Sequence, residues 1–135
     1  MTERRPRGVL DTSVVIDFAV IDEASLPLEA AITAVTLAEL SQGPHLAKDA
    51  QTRASRVERL QVVESVYRSP LPFDAPAARR YGALVGLVVA AGRQVRPRRV
   101  DLMIAAIASS HGLPLYTRNR QDLERLEGLL DILAV

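Results

Sequence analysis

Gly8-Val9-Leu10-Asp11-Thr12-Ser13-Val14-Val15-Ile16-Asp17 is the stretch that decides the fold. A short apolar run ends on an acid and two hydroxyl residues, after which Val14, Val15, Phe18 and Ala19 recur at helical spacing. The segment reads as a strand turning directly into a helix, with Asp11 at the junction. The same unit follows downstream: Ala30 to Val35 is a second apolar run, and Thr36-Leu37-Ala38-Glu39-Leu40 begins a short helix that Gly43-Pro44 stops. From His45 to Tyr67, the residues Ala54, Val57, Leu60, Val63 and Val66 are spaced as one apolar stripe on a long helix or helical hairpin. This stripe reads as an ordinary packing face.

Pro70 and Pro72 break that helix around a brief extended piece, Leu71 to Phe73, and Asp74 with Pro76 supplies a cap and first turn for the next helix, which runs to Gly92. Val100 to Ser110 reads as a buried helix with Gly112 just past its end, where a left-handed residue is wanted. Leu113 to Thr117 is then a strand, Asn119 to Leu126 a short helical segment closed by Gly128, and Leu129 to Val135 a last strand. Strands alternating with helices imply right-handed crossovers and a mainly parallel sheet covered on both faces. In such sheets ligands bind outside the carboxyl ends of the strands.

At 135 residues and 48% hydrophobic content, one domain spanning 1–135 is expected. Lys+Arg 17 against Asp+Glu 16 leaves a net charge of +1, so a nucleic-acid partner would have to be met by a local basic patch. With Cys 0, disulfides, thiolate metal ligands and a cysteine nucleophile are excluded. The apolar run from Tyr81 to Gly92 falls far short of the ~20 residues that span a bilayer. Arg4, Arg5 and Arg7 resemble the start of a secretion signal, but Asp11 and Asp17 interrupt what would be its apolar core, so a cytoplasmic protein with no membrane role is expected.

The acids fall at matching places. Asp11 closes the first strand, Glu39 lies in the helix after the second, Asp101 opens the buried helix, and Asn119 with Asp122 follows the strand ending at Thr117. Oxygen donors gathered on one rim repel one another when empty, and a divalent cation compensates them. Without cysteine and with only two histidines, the site is hard, which favours Mg²⁺ or Mn²⁺ over Zn²⁺. Each acid also has a structural reading. Asp11 suits a helix cap, and Asp101 or Asp122 suits the first turn of a helix, where an acid complements the macrodipole. Glu39, flanked by Ala38 and Leu40, is harder to explain that way, because buried glutamates are paired or ligating. Asp17, six residues after Asp11, falls on another face and reads as solvated or as a salt-bridge partner. His111 reads as a helix C-terminal residue and His45 as exposed.

VLDTSVVID from Val9, TLAEL around Glu39, RRVDLMIAAIA from Arg98 and GLPLYTRNRQDLERL from Gly112 resemble the four signature segments of PIN-domain toxins of the VapC type, in family order over nearly the whole chain. The resemblance implies a three-layer α/β/α fold around a parallel sheet of about five strands. It implies an endoribonuclease holding Mg²⁺, with Mn²⁺ able to substitute, on Asp11, Glu39 and Asp101. The fourth site residue falls in the TRNRQDL segment, at Asn119 or at Asp122, and by the same analogy Ser13 and Thr117 orient water at the metal. The family often carries phenylalanine where this chain has Leu123, an apolar exchange. The implied chemistry is metal-assisted phosphodiester hydrolysis. Arg98, Arg99, Arg118 and Arg120 flank the proposed rim and are candidates for contact with the RNA backbone, with solvated charge or antitoxin docking as the alternative. The implied partners are RNA and a VapB-type antitoxin that blocks the acidic groove of a homodimer, in a heterotetramer or larger assembly. Three tyrosines, two phenylalanines and no tryptophan leave little for base stacking, so recognition through RNA shape and phosphate position is expected.

Three other readings compete. A phosphoryl-signalling receiver needs a late lysine, whereas the only lysine is Lys48. A haloacid-dehalogenase-like phosphatase needs an aspartate where Ser13 stands, and no glycine-rich phosphate loop is present. A degenerate PIN domain serving as an RNA-binding or protein-interaction module is the remaining alternative. Its cost is an acidic cluster with nothing to compensate it.

Overall fold

The computed structural model describes residues 3–135. Four strands, β1 (Arg7–Leu10), β2 (Glu29–Ala31), β3 (Leu115–Thr117) and β4 (Ile132–Ala134), form one parallel sheet in the order β2-β1-β3-β4. Five α-helices accompany them: α1 (Thr12–Ile16), α2 (Ala34–Gln42), α3 (Ala50–Val66), α4 (Ala75–Ala90) and α5 (Arg99–Ser110).

Alternation along the two central strands assigns the layers. Val9 and Leu115 enter one core with Leu84 and Val88 of α4 and Leu102, Ile104 and Ala105 of α5. Their neighbours Leu10 and Tyr116 enter a second core with Val14 and Val15 of α1, Leu40 of α2 and Val63 of α3. Successive strand side chains point to opposite faces, so the same strands serve both cores and the result is three layers. Close packing of β1 on β3 requires Gly8, because a Cβ there would overlap the Tyr116 ring. Among the described residues no helix is long and apolar enough to cross a membrane.

Several boundaries differ from the sequence expectation. The sheet has four strands rather than about five. The missing one is the extended piece around Leu71, which makes a single parallel bridge to Thr33 through Leu71 N to Ile32 O (2.9 Å) and Ala34 N to Leu71 O (2.8 Å). Pro70 and Pro72 on either side have no N–H to extend that ladder. The second strand ends at Ala31 instead of Val35, because the Thr33 hydroxyl accepts the Thr36 N–H (3.1 Å) and starts α2 at Ala34. The first helix is one short turn that passes into a 3₁₀ turn at Phe18–Val20. On α3 only Val63 of the expected stripe is buried, while Val57 and Val66 are exposed. The expected caps of α4 are present: Asp74 accepts the Ala77 N–H (3.1 Å), and Pro76 sits in the first turn. His111 caps the carboxyl end of α5, followed by Gly112 at φ +64°.

Candidate active site

Asp11 stands at the carboxyl end of β1 and is 4% exposed. Its Oδ1 accepts the Thr12 N–H (2.9 Å) at the start of α1, so the capping reading of this residue is realised. The other oxygen, Oδ2, accepts the Thr117 hydroxyl (2.8 Å) and the Ser13 hydroxyl (3.0 Å). Thr117 closes β3, and Asp11 N donates to Tyr116 O (2.9 Å), so neighbouring strand ends fix the carboxylate from two sides. Both hydroxyl protons expected to orient water are therefore directed at Asp11 itself. Each hydroxyl oxygen also accepts a backbone N–H, Ser13 from Arg118 (3.1 Å) and Thr117 from Asn119 (3.0 Å). The loop after β3 is thereby pinned over the end of β1.

Glu39 faces this point from α2. Its Oε1 accepts the Thr12 hydroxyl (2.6 Å), which also lies 3.0 Å from the buried Thr36 hydroxyl. Burial pushes the Glu39 carboxyl above its usual range; the Thr12 bond opposes this and the nearby Asp11 charge adds to it. Thr12 and Thr36 were not among the residues singled out from sequence. Thr36 carries a weak signal there, since it stands three residues before Glu39 on the same helical face.

Asp101 lies in the first turn of α5, and its carboxyl is pushed up to about 6. Burial is the largest cause, followed by the charges of Asp11, Glu39 and Asp122, with Arg98 pulling the other way. Carboxylates from the end of β1, from α2 and from the loop after β3 thus lie within electrostatic reach of Asp101 on α5. Of the two residues left open in the TRNRQDL segment, Asp122 contributes charge to this cluster. Asn119 enters it through its backbone, donating to Thr117 and accepting the Asp122 N–H (3.1 Å). Leu123, beside Asp122, is buried and holds the segment against the α5 core.

The donor set is oxygen alone, which matches a hard divalent cation in kind. Among the described residues no three His, Asp or Glu side chains converge closely enough to hold one ion directly.

The arginines fall into two groups. Arg118 Nε pairs with Asp17 Oδ2 at 3.6 Å, a partly exposed contact that realises the salt-bridge reading of Asp17. Arg98 Nη1 donates to Gln94 O (2.7 Å), and its Nε is buried without a hydrogen-bond partner beside the acid cluster. Arg99 and Arg120 are exposed.

Comparison with known proteins gives a consistent result. A family model described as "PIN domain" matches residues 8–129. The chain is 40% identical over 128 residues to Ribonuclease VapC5 of Mycobacterium tuberculosis, covering 93% of this chain and 91% of that protein. It is 35% identical over 100 residues to the tRNA(fMet)-specific endonuclease VapC of Shigella flexneri, covering 73% of this chain and 70% of the relative. Among solved structures, a VapBC-5 toxin–antitoxin structure from Mycobacterium tuberculosis superposes with a TM-score of 0.82 at 40% identity, over 96% of this chain and 98% of the other.

Proposed function

The chain belongs to the PIN-domain family, and from that premise we propose that it is a single-domain, metal-dependent endoribonuclease, the toxin of a toxin–antitoxin pair, acting in the cytoplasm. The observation that carries the catalytic reading is that Asp11, at the carboxyl end of β1, with Glu39 and Asp122, lies near enough to Asp101 for their charges to raise its carboxyl pKa. Such a cluster repels itself unless a cation compensates it, which argues against the degenerate, non-catalytic alternative.

Of Asp11, Glu39, Asp101 and Asp122, one or two carboxylates would hold Mg²⁺ or Mn²⁺ directly and the others through its waters, with Asn119 shaping the loop. A bound cation supplies Lewis acidity, lowering the pKa of water and neutralising charge that develops on the phosphate. The chain's own part is placement. Ser13 and Thr117 fix the Asp11 carboxylate through hydrogen bonds, and Thr12 fixes Glu39. Arg98, Arg99, Arg118 and Arg120 lie around the rim and favour approach of a phosphate backbone. Base stacking has little to work with. Tyr116 is buried, and Tyr81 is engaged edge-to-face with Phe73 at 6.1 Å.

Inhibition by a VapB-type antitoxin and assembly as a homodimer follow from the same reading. Phe18 beside α1, and Val62 and Val66 of α3, line one exposed apolar groove of about 360 Å³ that offers a protein partner apolar area.

The test is cleavage of total cellular RNA by purified, antitoxin-free protein with Mg²⁺, Mn²⁺ or EDTA, alongside Asp11→Asn and Asp101→Asn. Discrete cuts that vanish in EDTA and in both variants are expected. Folded wild-type protein that binds Mg²⁺ and cuts no RNA would overturn the enzyme in favour of a binding module.

A further inference from the structure

The acid cluster does not stand in an open plain. A cleft of about 620 Å³, with Glu39 as its one carboxylate, lies between α2 and α3, within the ~300–1,000 Å³ typical of ligand sites. Thr12 and Glu39 form one end, and Gln51, Ser55, Arg56 and Arg59 line the α3 wall. The sequence reading treated α3 as packing, but the side chains it turns toward the acids are polar and basic.

The two arginines differ in what they already do. Arg56 is half-buried and committed, since Nη1 donates to Gly43 O (2.8 Å) and its Cδ lies against Gly43. Arg59, one turn further along and also half-buried, makes no ion pair with any carboxylate among the described residues. Its charge, in a cleft whose other end is acidic, is placed for an anion that reaches both ends. A phosphodiester strand has that form, with one phosphate at the carboxylate cluster and the next along the chain a nucleotide away. Gln51 and Ser55 add hydrogen-bonding groups suited to ribose hydroxyls, and the wall presents no aromatic ring for a base to stack on.

We propose that the cleft between the acid cluster and α3 holds the RNA backbone on one side of the scissile bond, with Arg59 as its principal phosphate contact and Arg56 as a second. The assignment rests on the ribonuclease reading and extends it to a subsite that determines where the strand lies. Arg56 and Arg59 act in binding and positioning, and neither touches the reacting phosphate.

The experiment is binding of a fluorescently labelled single-stranded oligoribonucleotide, measured in EDTA so that no cleavage occurs, from ~50 to ~200 mM salt. Wild type is compared with Arg59→Gln, the Arg56→Gln/Arg59→Gln double variant, and Arg79→Gln, a neutralisation on the exposed side of α4. Because Arg56 braces Gly43, Arg59→Gln alone is the decisive variant should the double variant fold poorly. Each arginine lost from a phosphate contact lowers the slope of log K against log salt by roughly 0.7, and the pair should weaken binding by roughly tenfold. In cleavage assays with Mg²⁺, KM should rise with kcat nearly unchanged, and Arg79→Gln should do neither. An unchanged slope and KM in Arg59→Gln, or an equal change in Arg79→Gln, would overturn the subsite and leave the α3 arginines to a protein partner. If wild type neither binds nor cuts RNA, the ribonuclease reading itself has failed, an outcome separate from failure of the subsite.

Discussion

The two faces of the sheet are built on opposite terms. On one, α5 is buried along its middle: Leu102 and Ile104 to Ala108 are fully inaccessible, sandwiched between the sheet and α4. On the other, α3 buries Val63 alone and leaves Val57, Val62 and Val66 at 39%, 55% and 63% exposure. Both helices carry an apolar stripe in sequence. One is covered by further protein and the other is not, so one face is scaffold and the other is surface. The acid cluster sits on the seam. Asp101 is delivered by the rigid side, while Glu39 comes from α2 on the thinner side, next to the α3 cleft.

The largest effect should come from breaking the scaffold. Ile104→Ala removes a fully buried side chain from α5 and should cost about 2–5 kcal/mol, lowering the urea midpoint with little change in its slope. A loss under ~1 kcal/mol would mean that α5 is no better packed than α3. Next comes the strand contact that joins the faces. Gly8→Ala forces a methyl group against the Tyr116 ring between β1 and β3, and the strain should cost about 1–3 kcal/mol. Equal stability of that variant would show that Tyr116 moves aside freely.

What was readable from sequence follows the same division. The strand ending at Asp11, the buried helix opening at Asp101 and the cap at Asp74 are local patterns whose meaning does not depend on what packs outside them. The errors arose where a neighbour decides. An apolar stripe shows that a helix has two faces but does not supply the layer to cover one, so α3 was over-read. The second strand looked longer because Ala34 and Val35 are apolar, but the Thr33 hydroxyl had already committed the backbone to a helix. At the site, three acids were identifiable as acids at strand and helix ends. The bond from Thr12 to Glu39 joins residues 27 apart, and the arginine wall of the cleft exists only once α3 packs beside α2; neither has a local signature.

The seam offers a smaller effect whose sign is informative. Asp101 has a folded-state pKa of about 6, above its ordinary 3.8, so the folded protein holds that proton more tightly than the unfolded chain does. Its ionisation therefore costs stability. The penalty is absent below about pH 4, grows between about pH 4 and 6, and is complete above that range. For a partly exposed, screened group it amounts to about 1 kcal/mol. In EDTA, Asp101→Asn should be more stable than wild type at pH 7 by about that amount and should lose the advantage near pH 4. Adding Mg²⁺ should raise the Tm of wild type and leave the variant nearly unmoved. An Asp101→Asn variant less stable than wild type at pH 7 in EDTA would contradict the uncompensated cluster.

The smallest effect is also the one that separates the two faces most cleanly, because its sign should reverse. Val62 lies within α3 and more than half of its side chain meets solvent. A β-branched residue in a helix loses side-chain freedom that alanine does not have to lose, a difference of a few tenths of a kcal/mol. Where little apolar area is buried, that propensity term wins over the lost contact. Val62→Ala should therefore leave stability unchanged or raise it by up to ~0.5 kcal/mol, whereas truncation in α5 can only lower it. The measurement is urea unfolding at two protein concentrations, since a self-associating chain gains stability with concentration and a covered α3 would show it. A loss above ~1 kcal/mol that grows with concentration would place Val62 under a second copy. The same loss at both concentrations would mean that α3 is packed within the monomer after all.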